Sequence, residues 1–567
     1  MMKRTLGLLL LAAAGAACGG DNGSAPQLTP LFLDSIAPTR GTVGTVVQVY
    51  GVGFEPVAPR VYFNGLLSPK VERQADWVFA TAPEGLALGT TYDFRVVNPS
   101  GDVDTLAGAF QAVAPSVARV NGVTKPTGLI GMTVLIEGDA FGDYRHGKVF
   151  FAGSGGTQIE ATIADTVNDW TNNYIVTTVP AGTLNSSQIT VQTATGSSTG
   201  ISFSLITGAT FSPSVINWTQ TSALPQPLQG LGAVFVPAAN AGVNPSNYVF
   251  VVGGAADLTN AATTSVFRAE AQQSGAVSAW STGVTQLPEG RAYHAAVAAT
   301  AYTAPIDSTA TAAFLYAIGG VDASGATRNT VYYAKVALDG SVGPWQTSTP
   351  LPAAIHSASA VVFRGYIYLG GGADGQSAPT TTAYRAAVSA DGSVGTWQAM
   401  AGLPNAAAFH ALLNFGPYLY ATGGDAGAVS TMQATTTGGE LSATYLARVN
   451  LRSGDLAGGW SPLSSMNKGR SKHNTVVGGA YLFTTSGVYA GSPGSSENTY
   501  TQINSDGTVA SWLGATGANT IGTLLGYDVY NQAAISFVDA SGRGHVLVLG
   551  GAKRQTPGRA SAAVMYY

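Results

Sequence analysis

The sequence predicts an all-β chain: two β-sandwiches followed by a six-bladed β-propeller. Three observations carry this prediction. Tryptophans stand at 218, 280, 345, 397, 460 and 512, each 52 to 65 residues from the next. Self-similarity at such a period marks a repeat architecture. Glycine pairs, tight two-residue turns and Leu-Pro steps recur around those tryptophans, most plainly in Gly319-Gly320, Asp339-Gly340, Trp345 and Leu351-Pro352. Ahead of the repeats, residues 31–206 alternate β-branched and polar residues in short runs broken by Gly and Pro, the pattern of sandwich strands.

Composition narrows the class. Of 567 residues, 45% are hydrophobic and only 10% charged, which excludes a disordered acidic or basic chain. The 73 glycines follow no Gly-X-Y period, which excludes collagen. A formal charge of −4 with no basic stripe gives no footprint for nucleic acid. Cys18 is the single cysteine, so no intramolecular disulfide can form, and a large repeat core must supply the stability instead.

Residues 1–17 begin with Lys3 and Arg4 and continue with an apolar run from Leu6 to Ala17. That run is shorter than the roughly 20 residues a membrane span needs, and it reads as a secretory signal peptide. Gly15-Ala16-Ala17-Cys18 resembles the lipobox of bacterial lipoproteins, with Gly15 where Leu is usual. The resemblance implies cleavage before Cys18 and lipidation of its thiol. Gly19 in the following position, where Asp would favour inner-membrane retention, points to the outer membrane. Residues 18–30 are then a polar tether.

The first sandwich is expected over 31–113. Val46 to Phe54, Val61 to Gly65, Val78 to Pro83 and Tyr92 to Asn98 are its main runs, and Pro38-Thr39-Arg40-Gly41 is an early turn. A second copy is expected over 114–206, where Thr133 to Gly142, Lys148 to Phe151, Ile175 to Gly182 and Ile189 to Gln192 parallel the first. The Pro-x-x-Gly at Pro38 to Gly41 and the Gly-x-Gly-Phe at Gly51 to Phe54 resemble IPT/TIG domains, which are immunoglobulin-like. Trp77 and Trp170 occupy matching places and are expected to pack in the core or at its edge.

The propeller is expected over 207–567. Each repeat parses into an inner strand after Leu-Pro, a second strand ending at a glycine pair, a third strand, a turn, and a fourth strand bearing the Trp. The turns are Ser274-Gly275, Asp339-Gly340, Asp391-Gly392, Ser453-Gly454 and Asp506-Gly507, the strongest short hairpin signal. The pairs are Gly253-Gly254, Gly319-Gly320, Gly370-Gly371, Gly423-Gly424 and Gly550-Gly551, while blade 5 has none. The pattern resembles the Kelch repeat. The sixth repeat offers only three strands, so the segment Pro213 to Trp218 is expected to complete it and close the ring. Closure removes the exposed sheet edges.

Chemistry is sparse. His294, His356, His410 and His473 read as one repeat position, and position-equivalent residues are scaffold more often than ligands; no metal and no cofactor is expected. Arg291 and Arg470 precede His294 and His473 by three residues. These four are candidate ligand-binding residues at the propeller mouth, suited to an anionic group, although hydrogen bonding to blade-end carbonyls is the plainer role for the arginines. Insertions at Asp425 to Ser442 and Leu513 to Asn531 project from the same face, and the second adds Tyr527, Asp528 and Tyr530 to the candidates. The loops Pro237 to Asn247 and Thr300 to Ala312 lie on the other face. No nucleophile elbow, zinc helix or phosphate loop occurs, and no catalytic residue is assigned. Galactose oxidase, a Kelch propeller joined to Ig-like domains, needs a cysteine at its copper site that this sequence lacks. Sialic-acid mutarotases are also Kelch propellers, but their site residues do not map here.

These readings converge on a lipid-anchored outer-membrane protein whose propeller binds a protein or polysaccharide without catalysis. A carbohydrate-active enzyme working at the propeller mouth and a structural spacer are the alternatives.

Overall fold

A computed structural model describes residues 29–567 apart from 75–76, 208–210, 238–246, 257–260, 301–312, 430–437, 490–496, 518–519, 540–541 and 555–558. The signal peptide, Cys18 and nearly all of the tether lie outside the described residues, as do most of the two loops assigned to the far face. The chain is all-β; one five-residue α-helix, Ile521–Leu525, and two short 3-10 turns are the only helices among the described residues. None is long and apolar enough to cross a membrane. The chain divides into two compact units, the first sandwich and everything from residue 111 on, with a few loop residues of the sandwich grouped with the latter.

In the first sandwich, a four-stranded sheet built on Val46–Val52 and Trp77–Thr81 faces a five-stranded sheet built on Thr91–Val97 and Val103–Ala112. Alternation places Val47, Val49, Val61, Phe63, Phe94 and Phe110 inside, all with 0% exposure. Trp77 departs from the expectation for this module: it is 41% exposed and meets Tyr50 edge-on at 5.4 Å. It opens an inner strand of the sheet, opposite Gln74 of the edge strand Val71–Gln74. Trp170 of the second sandwich is buried and donates its indole N–H to Phe141 O at 3.1 Å.

The second sandwich and the propeller share a core. Glu137, 1% exposed, pairs with the Arg364 guanidinium at 3.0 Å (Nε) and 2.9 Å (Nη2). Leu135 packs with Phe363, Tyr368 and Leu419, and Met132 with Phe415, Tyr418 and Leu482. Arg452 bonds Asp169 at 2.7 Å. All these propeller residues belong to blades 3 to 5 and lie at or near the hairpins joining first to second strands or third to fourth strands. The sandwich therefore covers the face of the propeller opposite the glycine pairs.

The six blades begin with inner strands Gly232–Val236, Ala295–Thr300, Ser359–Phe363, Ala411–Phe415, Asn474–Gly478 and Ala533–Val538. Each contacts the next, and the sixth contacts the first. The last blade is completed by Thr219–Gln220, which pairs antiparallel with Val564–Tyr566.

Three sets of repeated bonds hold the ring. The tightest is a hoop of backbone. Tyr293 N donates to Gly230 O, Ser357 to Tyr293, Phe409 to Ser357, Lys472 to Phe409, Asn531 to Lys472 and Gly230 to Asn531, at 2.7 to 3.2 Å. All six residues are left-handed, with φ between 53° and 57°. That conformation costs a non-glycine residue about 1–2 kcal/mol, and each hydrogen bond returns about 1 kcal/mol. The cost is borne because the turn aims each amide along the circumference. The second set joins the glycine pairs to the next blade: Gly254 N bonds Arg291 O at 2.7 Å and Gly424 N bonds Arg470 O at 2.9 Å. In the third, Trp280, Trp345, Trp397, Trp460 and Trp512 each donate an indole N–H to a carbonyl of the segment entering their own blade, at 2.9 to 3.1 Å.

The hoop fixes the repeat register and corrects the sequence reading in blade 3. His356 precedes hoop residue Ser357, whereas His294, His410 and His473 follow theirs; Ala358 is their true equivalent. Gly370 ends the second strand, and the left-handed pair is Gly371-Gly372, with φ of 59° and 97°. Blade 5 is not missing its pair in conformation. Ser486 (φ 61°) and Gly487 (φ 101°) take the two places.

The next blade explains why the first place is otherwise glycine: a Cβ on Gly253, Gly319, Gly371, Gly423 or Gly550 would fall 2.2 to 2.6 Å from one of its main-chain carbonyl oxygens, and in two blades a histidine adds to the obstruction. A Cβ on Gly371 would fall 2.5 Å from His410 Cε1, and one on Gly423 2.5 Å from His473 Cε1. Each imidazole is wedged against the preceding blade. Where the wedge is Gln532, whose Nε2 donates to Thr485 O at 3.2 Å, the neighbour is Ser486.

Candidate functional site

The axis is the first place to look. At the hoop, Tyr293 and Phe409 meet edge-on at 6.1 Å, and the Lys472 ammonium sits 5.0 Å from the Phe409 ring. With Ala292, Ala373, Ala408 and Val429 the two rings form a buried apolar cluster. The hoop and the inner strands enclose a cavity of about 290 Å³ lined by His294, His410, His473 and Gln532 among others. Burial pushes His294 and His473 down to about 3 and His410 to about 4, so all three are neutral imidazoles at ordinary pH. Burial also lowers Lys472, to about 8. Among the described residues no group of three His, Cys, Asp or Glu is placed to hold a metal ion. His294 and His473 therefore sit as inter-blade wedges whose edges reach the axial cavity.

The larger cavity, about 570 Å³, lies between blades 5 and 6 on the face opposite the sandwich. It is within the size range of sites for small molecules. Three stretches bring its chemistry together. The approach to the inner strand of blade 5 supplies Asn467, Lys468 and Arg470. The loop after its glycine position and the third strand supply Tyr489, Glu497, Asn498 and Thr499. Blade 6 contributes Asp528 and Arg554. Lys468 Nζ pairs with Glu497 Oε1 at 2.9 Å and lies 4.6 Å from the Tyr489 ring centre. The hydrogen bond it donates to Glu497 is the main cause that raises its pKa. Arg554 Nη1 pairs with Asp528 Oδ2 at 3.1 Å.

Arg470 lines this cleft with 0% exposure. Its Nη1 reaches Ser486 O at 3.4 Å and Glu497 O at 3.3 Å, both long. Among the described residues its Nε and Nη2 have no hydrogen-bond partner, and burial lowers its pKa. Asn498 Oδ1 and Thr499 Oγ1, buried in the same lining, are also without a hydrogen-bond partner among the described residues. Buried polar atoms are nearly always paired, and three residues with such atoms meet around this cavity, as Tyr293, His294, His410, His473 and Gln532 do around the axial one.

The structure separates the residues singled out from sequence. Arg470 and Asp528 meet in the cleft. Arg291 occupies the equivalent place in blade 2, about a different set of partners: Nη2 bonds Glu289 Oε2 at 2.9 Å, Nη1 bonds Gly290 O at 3.0 Å, and Tyr332 lies 5.2 Å from the guanidinium carbon. Tyr530 is fully buried beside the hoop, where burial raises its pKa. Tyr527 is half-buried, bonds Ser561 Oγ at 2.9 Å and carries Lys553 over its ring at 4.8 Å. Lys468, Tyr489, Glu497, Asn498, Thr499 and Arg554 escaped the sequence reading. One signal was available: Glu289 stands two residues before Arg291, whereas Lys468 stands two before Arg470, a reversal of charge inside a repeat.

No family model and no curated protein sequence matches the chain. Among solved structures, one titled "Structure of YjhT" is similar, at 13% identity over 61% of this chain and 95% of that one; its TM-score of 0.41 is too low to carry an argument.

Proposed function

We propose that this chain is a surface-anchored binding protein whose propeller holds a polysaccharide in the cleft between blades 5 and 6, without catalysis. The observation that carries the proposal is the cleft itself: a cavity of about 570 Å³ with buried, unpaired donors and acceptors from Arg470, Asn498 and Thr499, on the face the second sandwich leaves open. A saccharide supplies many hydroxyls for such groups, and Tyr489 offers a ring for a sugar face. In this reading the blades are Kelch repeats, the sandwiches are IPT/TIG spacers, and a lipid on Cys18 holds the protein to the outer membrane.

Two experiments test it. The first is a glycan array probed with the soluble chain and with Thr499→Tyr, which fills the cleft. Selective glycan retention that the variant abolishes is expected. Retention indifferent to Thr499→Tyr would move the site elsewhere, and turnover of the bound glycan would replace binding with catalysis. In the second, Cys18→Ala should release the protein from the membrane fraction and end palmitate labelling. Unchanged partition would remove the anchor from the proposal.

A further inference from the structure

Blades 2 and 5 solve the same local problem differently, and the difference identifies what the cleft takes. Arg291 and Arg470 are equivalent and fully buried, and the main-chain carbonyl of each bonds the second glycine of the preceding pair. In blade 2 the guanidinium finds its counter-charge within the chain, as Glu289 bonds Nη2, and Tyr332 covers its face. In blade 5 Lys468 stands where Glu289 would be. The strand registers Ala317↔Tyr332 and Thr484↔Thr499 place Thr499 where Tyr332 would be. Blade 5 therefore lacks the carboxylate and the ring at these two positions; Glu497 and Tyr489 act on Arg470 from elsewhere in the lining of the cavity.

We propose that the cleft binds a carboxylate carried on a hydroxylated ring, a uronic acid residue of a polysaccharide. This rests on the saccharide-binding reading above and names the subclass. The carboxylate takes the side-on edge of Arg470, Nε and Nη2, which matches two oxygens in bidentate geometry. The ring takes the volume that Tyr332 fills in blade 2. Its hydroxyls satisfy Asn498 Oδ1 and Thr499 Oγ1. Charge selects a single anion: Lys468, Arg470 and Arg554 face Glu497 and Asp528 across the lining, which leaves one positive charge. The exposed Lys468–Glu497 pair stands beside the guanidinium, and Glu497 supplies one of its carbonyl acceptors. Surface pairs of this kind hold only weakly, so the ligand displaces little in reaching the arginine.

The test is calorimetric titration of the full chain with D-glucuronate, D-glucose and inorganic phosphate. Glucuronate should bind at least tenfold more tightly than either of the others. Lys468→Glu installs the internal carboxylate of blade 2, and Thr499→Tyr its ring; each should weaken glucuronate binding at least tenfold with the melting transition retained. Lys468→Gln removes the lysine without adding a carboxylate and should cost less than threefold. Equal binding of glucose and glucuronate, both abolished by Thr499→Tyr, would overturn the carboxylate assignment and leave the saccharide site standing. No binding of either sugar, or sugar binding that Thr499→Tyr leaves unchanged, would overturn both. Preference for phosphate would overturn the carboxylate.

Discussion

Blade 2 and blade 5 carry the same arginine on the same turn. In blade 2 it is the centre of a set with Glu289, Tyr332 and, through Glu289, Arg328, and of its guanidinium nitrogens Nε alone is buried without a hydrogen bond among the described residues. In blade 5 it is a buried cation with two long bonds to carbonyls. The comparison teaches that a repeat position has no fixed role. The scaffold delivers a guanidinium to the blade end, and the residue two places earlier decides whether it is structural or open to a ligand. Leaving a charge buried and underbonded costs stability, which a site designed for a ligand accepts and a scaffold does not.

The largest expected effect breaks this comparison at its centre. Arg291→Met should cost about 3 kcal/mol in denaturant unfolding, because it strips Glu289 and Tyr332 of their partner. Arg470→Met should stay within about 1 kcal/mol, since a well-packed apolar side chain replaces an unpaired charge. Equal losses would make the two arginines the same structural part.

The glycine positions of blades 4 and 5 sharpen it further. Gly423→Ser should cost about 2 kcal/mol, as its Cβ would press on His473 and on Arg470 O. Ser486→Gly, in the equivalent place against Gln532, should change stability by less than about 1 kcal/mol. Thermal melts of the two variants decide it. A smaller gain is expected from copying blade 2 into blade 5. Lys468→Glu combined with Glu497→Gln should stabilise the chain by about 1 kcal/mol, because the new carboxylate pairs with Arg470 and meets no like charge.

The smallest effect is a slope. His294, His410 and His473 have folded values of about 3 to 4, below the usual 6.5. The unfolded chain therefore binds more protons through that window, and stability should fall as pH drops from about 6.5 toward about 4. His410→Gln, which copies the wedge of blade 6, should flatten the slope measured by denaturant unfolding across that range.

The sequence made the repeat legible because its signals are local. A glycine pair, an Asp-Gly turn and a Trp each act within a few residues, and their spacing survives loop insertions. The register of blade 3 was lost because three consecutive glycines, Gly370 to Gly372, allow two pairings, and His356 stands one place from the true position. The blade 5 pair was hidden because a serine can adopt the left-handed conformation when Gln532 leaves it room. The hoop left no compositional trace: Gly, Tyr, Ser, Phe, Lys and Asn share only a φ angle. The union of the second sandwich with blades 3 to 5 depends on contacts such as Glu137 with Arg364, 227 residues apart, which no local pattern encodes. Arg470 and Asp528 were visible as candidates. The unpaired Nη2 that distinguishes Arg470 from Arg291 was not, because it follows from what separate strands fail to supply.

The hoop has one more consequence. Its six bonds run from main chain to main chain, so the ring closes without reading any of the side chains it carries. Each of those six positions must accept a left-handed turn, and at Gly230 a Cβ would also fall 2.4 Å from the Tyr293 ring, so a side chain there requires a smaller neighbour. β-Branched residues and proline should be barred there, and none is found. The axis is thus a socket whose wall is fixed and whose contents can be exchanged. A descendant of this chain could place an acid, a base or an aromatic at any of six points around the axis without loosening the bonds that hold the ring shut.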